Sequence, residues 1–179
     1  MTKPIVKTAT ESDEAGVIDT LKLAFAADPA TRWVWPDPQK YLSYFSSFAR
    51  AFVGKAFANK SAHYIGNYSG GALWLPPNIH PDVDQLIALL QSTGSNEAKK
   101  DGPEIFEKMS SYHPHEPHWY LPLLGVDHFT TAKDWALHQY SMQWLRVIKM
   151  TNLPTSNHQT QRTFPYTNGM DLNCLAQSR

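Results

Sequence analysis

At 179 residues and 20.3 kDa, the chain has the length of one ordinary domain with a real hydrophobic core. Sixteen acidic and sixteen basic side chains cancel, with no long run of either sign, which argues against an electrostatically driven nucleic-acid binder. The single cysteine, Cys174, leaves no internal disulfide, and no apolar stretch suits a secretory leader or the roughly 18 residues of a membrane span, so a cytoplasmic setting is expected.

In chain order, Ile5 to Thr8 reads as a short strand. Thr10 or Ser12 caps a helix with Asp13 and Glu14 in its first turn, the favourable charge at that end. Val17, Ile18, Leu21 and Phe25 recur at helical spacing, and Asp28-Pro29 is expected to end the run. Asp37-Pro38 is a start signal, a capping acid before proline at the first helical position. Tyr41, Phe45, Phe48 and Phe52 then form an aromatic stripe on one helix face.

Ala62 to Gly66 and Ala72 to Leu75 flank the turn-rich link Asn67 to Gly71, the pattern of a β-hairpin closed by Pro76-Pro77. Val83 to Leu90 is a short helix, Ser92 to Lys100 a loop, and Glu104 to Tyr112 a helix with Ile105, Phe106, Met109 and Tyr112 inward. Trp119 to Val126 is a strong strand, in which Pro122 removes a ladder donor and Gly125 adds backbone freedom. Together they predict a bulge or a parting from the neighbouring strand. Thr130 to Met150 allows a helix along Leu137, Ser141, Trp144 and Ile148, and 151–179 shows neither period. The order is an α+β plan, a mixed sheet with flanking helices.

Ala24-Phe25, Asp28-Pro29, Trp33, Pro36-Asp37, G-A-L-W-L-P-P at Gly71 to Pro77 and H-E-P-H-W-Y-L-P-L-L-G-V-D at His115 to Asp127 carry a resemblance. The chain resembles the GNAT superfamily of N-acetyltransferases, in particular a subgroup of small acetyltransferases, over residues 1–127. The resemblance implies the GNAT fold, acetyl-CoA as co-substrate and a small-molecule or peptide amine as acceptor. It also implies that the strand backbone at Leu124, Gly125 and Val126 holds the cofactor, aligning pantetheine and polarising the thioester carbonyl. Nucleic acid and membrane are not expected partners, and no catalytic residue or metal ligand is assigned.

In that family the strand leads into a glycine-rich loop at a helix N-terminus, where converging N–H groups and the helix dipole favour pyrophosphate. After Asp127 this chain reads H-F-T-T-A-K-D-W-A-L-H, with no glycine before Gly169. The family's closing N-x-x-(I/A)-x-x-(F/L)-Y-x-x-x-G-F motif is missing too. Segment 128–179 is therefore read as aberrant, with a helix over 133–150 and then an irregular tail. The fold is expected to be incomplete after the fourth strand, and acetyl-CoA binding weak or absent.

Codon degeneracy supplies a reason. Joining the last base of each codon to the first two of the next, Asp134-Trp135 forces leucine (YTG) and Trp135-Ala136 forces glycine (GGC). The neighbouring junctions permit P-F-(H/Y)-H-G-K-G-L-G-S-A, a pyrophosphate loop. In the same frame Leu153 to Leu172 permits A-Y-L-E-S-S-N-P-K-N-I-P-L-Y-E-R-H-G-F, the closing motif, with its glycine forced by Met170-Asp171. Loss of one C from GAC-CCA-TTY-YAC produces the junction Asp127-His128-Phe129-Thr130. The residues after Asp127 read as frame-shifted translation.

Other readings are weighed beside this one. A non-catalytic remnant or interaction module would expose Trp135, Tyr140, Trp144 and Leu145. His113, His115 and His118 form H-x-H-x-x-H, a metal-binding reading whose test is zinc retention and its loss on replacing His115. The intervening Pro114 and Pro117 favour a rigid loop before the strand instead. Glu116 reads as a solvated acid rather than a general base. Trp33, Trp74, Trp119 and Tyr120 read as packing rather than an acceptor pocket.

Overall fold

Asp-Pro pairs set two of the first helices. A computed structural model of the chain describes residues 5–126. Strand β1 (Val6–Thr8) passes through a 3-10 turn, Glu11–Asp13, into helix α1 (Glu14–Ala24). The Asp13 carboxylate accepts from the Thr10 backbone N–H at 2.8 Å, the Thr10 hydroxyl at 2.7 Å and the Tyr68 hydroxyl at 2.8 Å. These bonds, led by the Thr10 backbone, hold its pKa at about 2.

Asp28-Pro29 opens a helix rather than only ending one, a departure from the sequence expectation. Helix α2 (Pro29–Val34) is capped by Asp28, whose Oδ1 accepts from Thr31 N at 2.9 Å. Six residues are too few to show a period, so only the cap betrays this helix. Helix α3 (Pro38–Val53) starts on Asp37 as expected, and Gln39 N donates to its carboxylate at 2.8 Å. Tyr41 and Phe45 are fully buried, with Phe48 and Phe52 packed against the same core. Phe45 stands 5.2 Å from Tyr41 and 5.9 Å from Phe48 between ring centroids. Burying one such ring contributes about 1.5–3 kcal/mol. A single turn, α4 (Lys55–Ala58), follows.

The sheet is a four-stranded antiparallel meander in the order β1-β2-β3-β4, with β2 at Ala62–Ile65, β3 at Gly70–Leu75 and β4 at Tyr120–Val126. Gly70 and Gly71 belong to β3, not to the turn. A Cβ on Gly70 would stand 3.0 Å from Val126 Cγ1, and one on Gly71 3.0 Å from Val17 Cγ1. Packing on both sheet faces therefore selects glycine there. One face carries Ala62, Tyr64, Leu73, Leu75 and Leu123 into the core with α1 and α3. The register places Ile65, Ala72 and Trp74, all buried, with Leu124 and Val126 on the other.

Between β3 and β4 run α5 (Val83–Thr93) and α6 (Asn96–Ser111). The expected loop over 92–100 is thus mostly helix. Ser95 Oγ accepts from Ala98 N at 3.0 Å and starts α6, which continues through Gly102 and Pro103. Gly102 serves contact inside the helix: a Cβ there would lie 2.3 Å from Leu90 Cδ2. The inward face expected for α6 is also corrected. Ile105, Met109 and Tyr112 are exposed and Phe106 is half-buried, because α6 meets α5 and α2 along its earlier turns. Asp127, the segment 128–179 and the helix expected over 133–150 lie outside the described residues.

Candidate functional site

The strand expected to carry chemistry is β4, and it is irregular where the sequence said it would be. Leu73 pairs with Leu123 and Leu75 with Tyr120, so three steps on β4 oppose two on β3. The extra residue falls at Leu121-Pro122. Proline has no N–H to give a ladder, so a bulge accommodates it without an orphaned partner.

Ladder phase decides which backbone groups of β4 are spent on β3. Trp74 N donates to Ser61 O at 3.1 Å, extending the register that pairs Ala72 with His63 and Gly70 with Ile65. In an antiparallel ladder, residues bond alternately to the two sides. Gly70, Ala72 and Trp74 therefore bond toward β2, while Gly71 and Leu73 bond toward β4. Their partners Gly125 and Leu123 face β3. The N–H and C=O of Leu124 and Val126 point the opposite way, along the edge where no described strand lies. The three residues named from sequence thus divide: Leu124 and Val126 present backbone outward, and Gly125 backs onto α1.

Gly125 has a packing role. A Cβ there would stand 2.7 Å from Ala24 Cβ, 3.2 Å from Leu21 Cδ2 and 3.5 Å from Phe25 Cε2. Its missing side chain lets the end of α1 close onto β4. Beside that junction lies a buried polar group of residues that sequence periodicity does not reveal. Thr31 Oγ1 donates to Phe25 O at 2.9 Å, and the Tyr41 hydroxyl donates to Lys22 O at 2.5 Å. Burial pushes the Tyr41 hydroxyl above its usual range, and the nearby Asp28 charge adds to the effect. The only sequence clue was the capping acid before Pro29.

Three of the four aromatics weighed as a pocket, Trp33, Trp74 and Tyr120, stand in different surroundings. Trp33 is exposed on α2, and Trp74 is buried on the face opposite α1. Tyr120 packs edge-on to His113 at 4.5 Å and to Phe52 at 6.4 Å. Among the described residues, Trp74 Nε1 is the buried side-chain nitrogen or oxygen without a partner. On the same face His63 is held below its usual pKa by burial. Glu116 is exposed on the loop before β4.

The histidine triplet separates. His113 and His118 are half-buried neighbours, with Nδ1 of the first 3.4 Å from Nε2 of the second, while His115 is exposed. Among the described residues, no three His, Cys, Asp or Glu side chains converge on one point. No described helix is long and apolar enough to cross a membrane.

No protein-family model matches the chain. Among solved structures it is similar to a crystal structure described as histone acetyltransferase HPA2 and related acetyltransferase, from Corynebacterium glutamicum. The two are 20% identical, the match covers 84% of this chain and 83% of that one, and the TM-score is 0.48.

Proposed function

We propose that the gene encodes a GNAT-type N-acetyltransferase and that this polypeptide carries its N-terminal portion, residues 1–127, followed by frame-shifted translation after Asp127. Acetyl-CoA would be the co-substrate, a small-molecule or peptide amine the acceptor, and the cytoplasm the setting. The observation that carries the reading is the strand from Tyr120 to Val126. It follows the H-E-P-H-W segment of the resemblance, bulges at Leu121-Pro122 and turns the backbone of Leu124 and Val126 to the side on which no described strand lies. Outward N–H and C=O groups on alternate residues of β4, which have no partner among the described residues, fit the amides of a pantetheine arm.

The chemistry is direct transfer. The neutral amine attacks the thioester carbonyl, a C–N bond forms, the C–S bond breaks, and the proton lost by the amine nitrogen balances the one taken up by the leaving thiolate. The outward backbone beside the bulge supplies the fixed dipoles that hold the carbonyl as negative charge develops on its oxygen. Pyrophosphate binding belongs to the loop legible only in the other frame. Hence the chain as written binds acetyl-CoA weakly or not at all, and the remnant reading describes its activity.

Restoring one base at the Asp127 codon tests the proposal. The repaired chain should bind acetyl-CoA in the micromolar range by calorimetry and acetylate some member of an amine panel, while the chain as written does neither. Micromolar affinity in the unrepaired chain would overturn the loss. Silent-position bases that forbid the shifted reading would overturn the frame shift.

A further inference from the structure

The loop between α6 and β4 brings two imidazoles together with their nitrogens facing. His118 Nδ1 lies 2.9 Å from the Glu116 backbone carbonyl. A carbonyl only accepts, so this nitrogen carries the proton and the lone pair of His118 is on Nε2. That lone pair faces His113 Nδ1 at 3.4 Å, long for a hydrogen bond between rings. The separation has another meaning. Two imidazole nitrogens, each about 2.0–2.1 Å from one tetrahedral zinc ion, stand about 3.3–3.4 Å apart.

The geometry points to a bidentate site for a divalent transition-metal cation of the zinc class, formed by His113 Nδ1 and His118 Nε2 with water completing the coordination. The hydrogen bond from His118 to Glu116 O is the outer contact that fixes a ligating ring's tautomer and orientation. His113 is braced edge-on against Tyr120, the first residue of β4, so its ring direction is set by the strand. Ligation takes the Nε2–H tautomer of His113, and two neutral rings bind without net proton release. A cation there would staple the segment 113–118, and with it the entry into β4. His115 is exposed between the two prolines and takes no part.

Zinc chloride titrated into the full chain by calorimetry tests the site. His113→Asn and His118→Asn should each weaken the affinity at least tenfold, and His115→Asn should leave it within twofold, with folding checked by far-UV circular dichroism. A measurement on the unmutated chain guards against misfolded variants: zinc should protect His113 and His118 from carbethoxylation and leave His115 reactive. Undiminished binding in the His113→Asn/His118→Asn double variant, or zinc that leaves the pair reactive, would overturn the proposal.

Discussion

Gly125 shows how much one missing side chain decides. Its place on β4 is set by pairing with Gly71, and its Cα faces Ala24 at the end of α1. Ala24 is backbone-anchored and cannot yield as a long side chain would. Gly125→Ala is therefore expected to cost about 1–3 kcal/mol, the usual scale of overpacking. Adding Ala24→Gly should recover part of that loss, and urea unfolding of the two single variants and the double measures the coupling. Full additivity would mean that the two residues do not meet.

At the scale of elements, β4 is the informative strand. Its bulge follows from Pro122, and its outward backbone at Leu124 follows from the ladder phase set by Trp74 and Ser61. Leu124→Pro removes no bond to β3 and should lose no more than about 1–2 kcal/mol, within the worth of a hydrogen bond or so. Leu123→Pro removes a ladder bond and empties a buried position, so it should cost several-fold more in the same urea experiment. In the frame-repaired chain, Leu124→Pro should also abolish acetyl-CoA binding while the fold persists. Equal tolerance of both prolines would refute the assigned phase.

For the molecule as a whole, acid should destabilise through half-buried histidines before carboxylates. His63 and His113 sit below the ordinary histidine value of 6.5, both chiefly through burial. The unfolded chain takes up protons near that value while the folded chain resists them. Their stabilisation is therefore complete above about pH 6.5 and is lost progressively as pH falls below it. Thermal melting should be flat from pH 8 to 7 and decline from pH 6.5 to 5, with a shallower decline in His63→Asn. Asp13 adds a later loss as pH falls from its ordinary 3.8 toward about 2.

The local grammar of this chain was legible in one dimension. The Asp37-Pro38 cap, the aromatic stripe of α3, the hairpin and the proline bulge of β4 depend on neighbours a few residues apart, and the α+β class follows from their order. The leucine and glycines that Asp134-Trp135-Ala136 and Met170-Asp171 force in a shifted frame are likewise properties of the sequence alone. The tertiary structure decided what depends on distant partners. Gly102 is a packing contact inside a helix because Leu90 fills its space, and Gly70 is a strand residue because it pairs with Ile65 and Val126. Ile105 and Met109 face outward because α6 meets α5 and α2 through its earlier turns. His113 finds His118 rather than His115 because the segment between them turns. In β4, the family resemblance implied Leu124, Gly125 and Val126 as one group. The antiparallel ladder separated them, because hydrogen-bond direction alternates along a strand and only a neighbouring strand fixes which residues point outward.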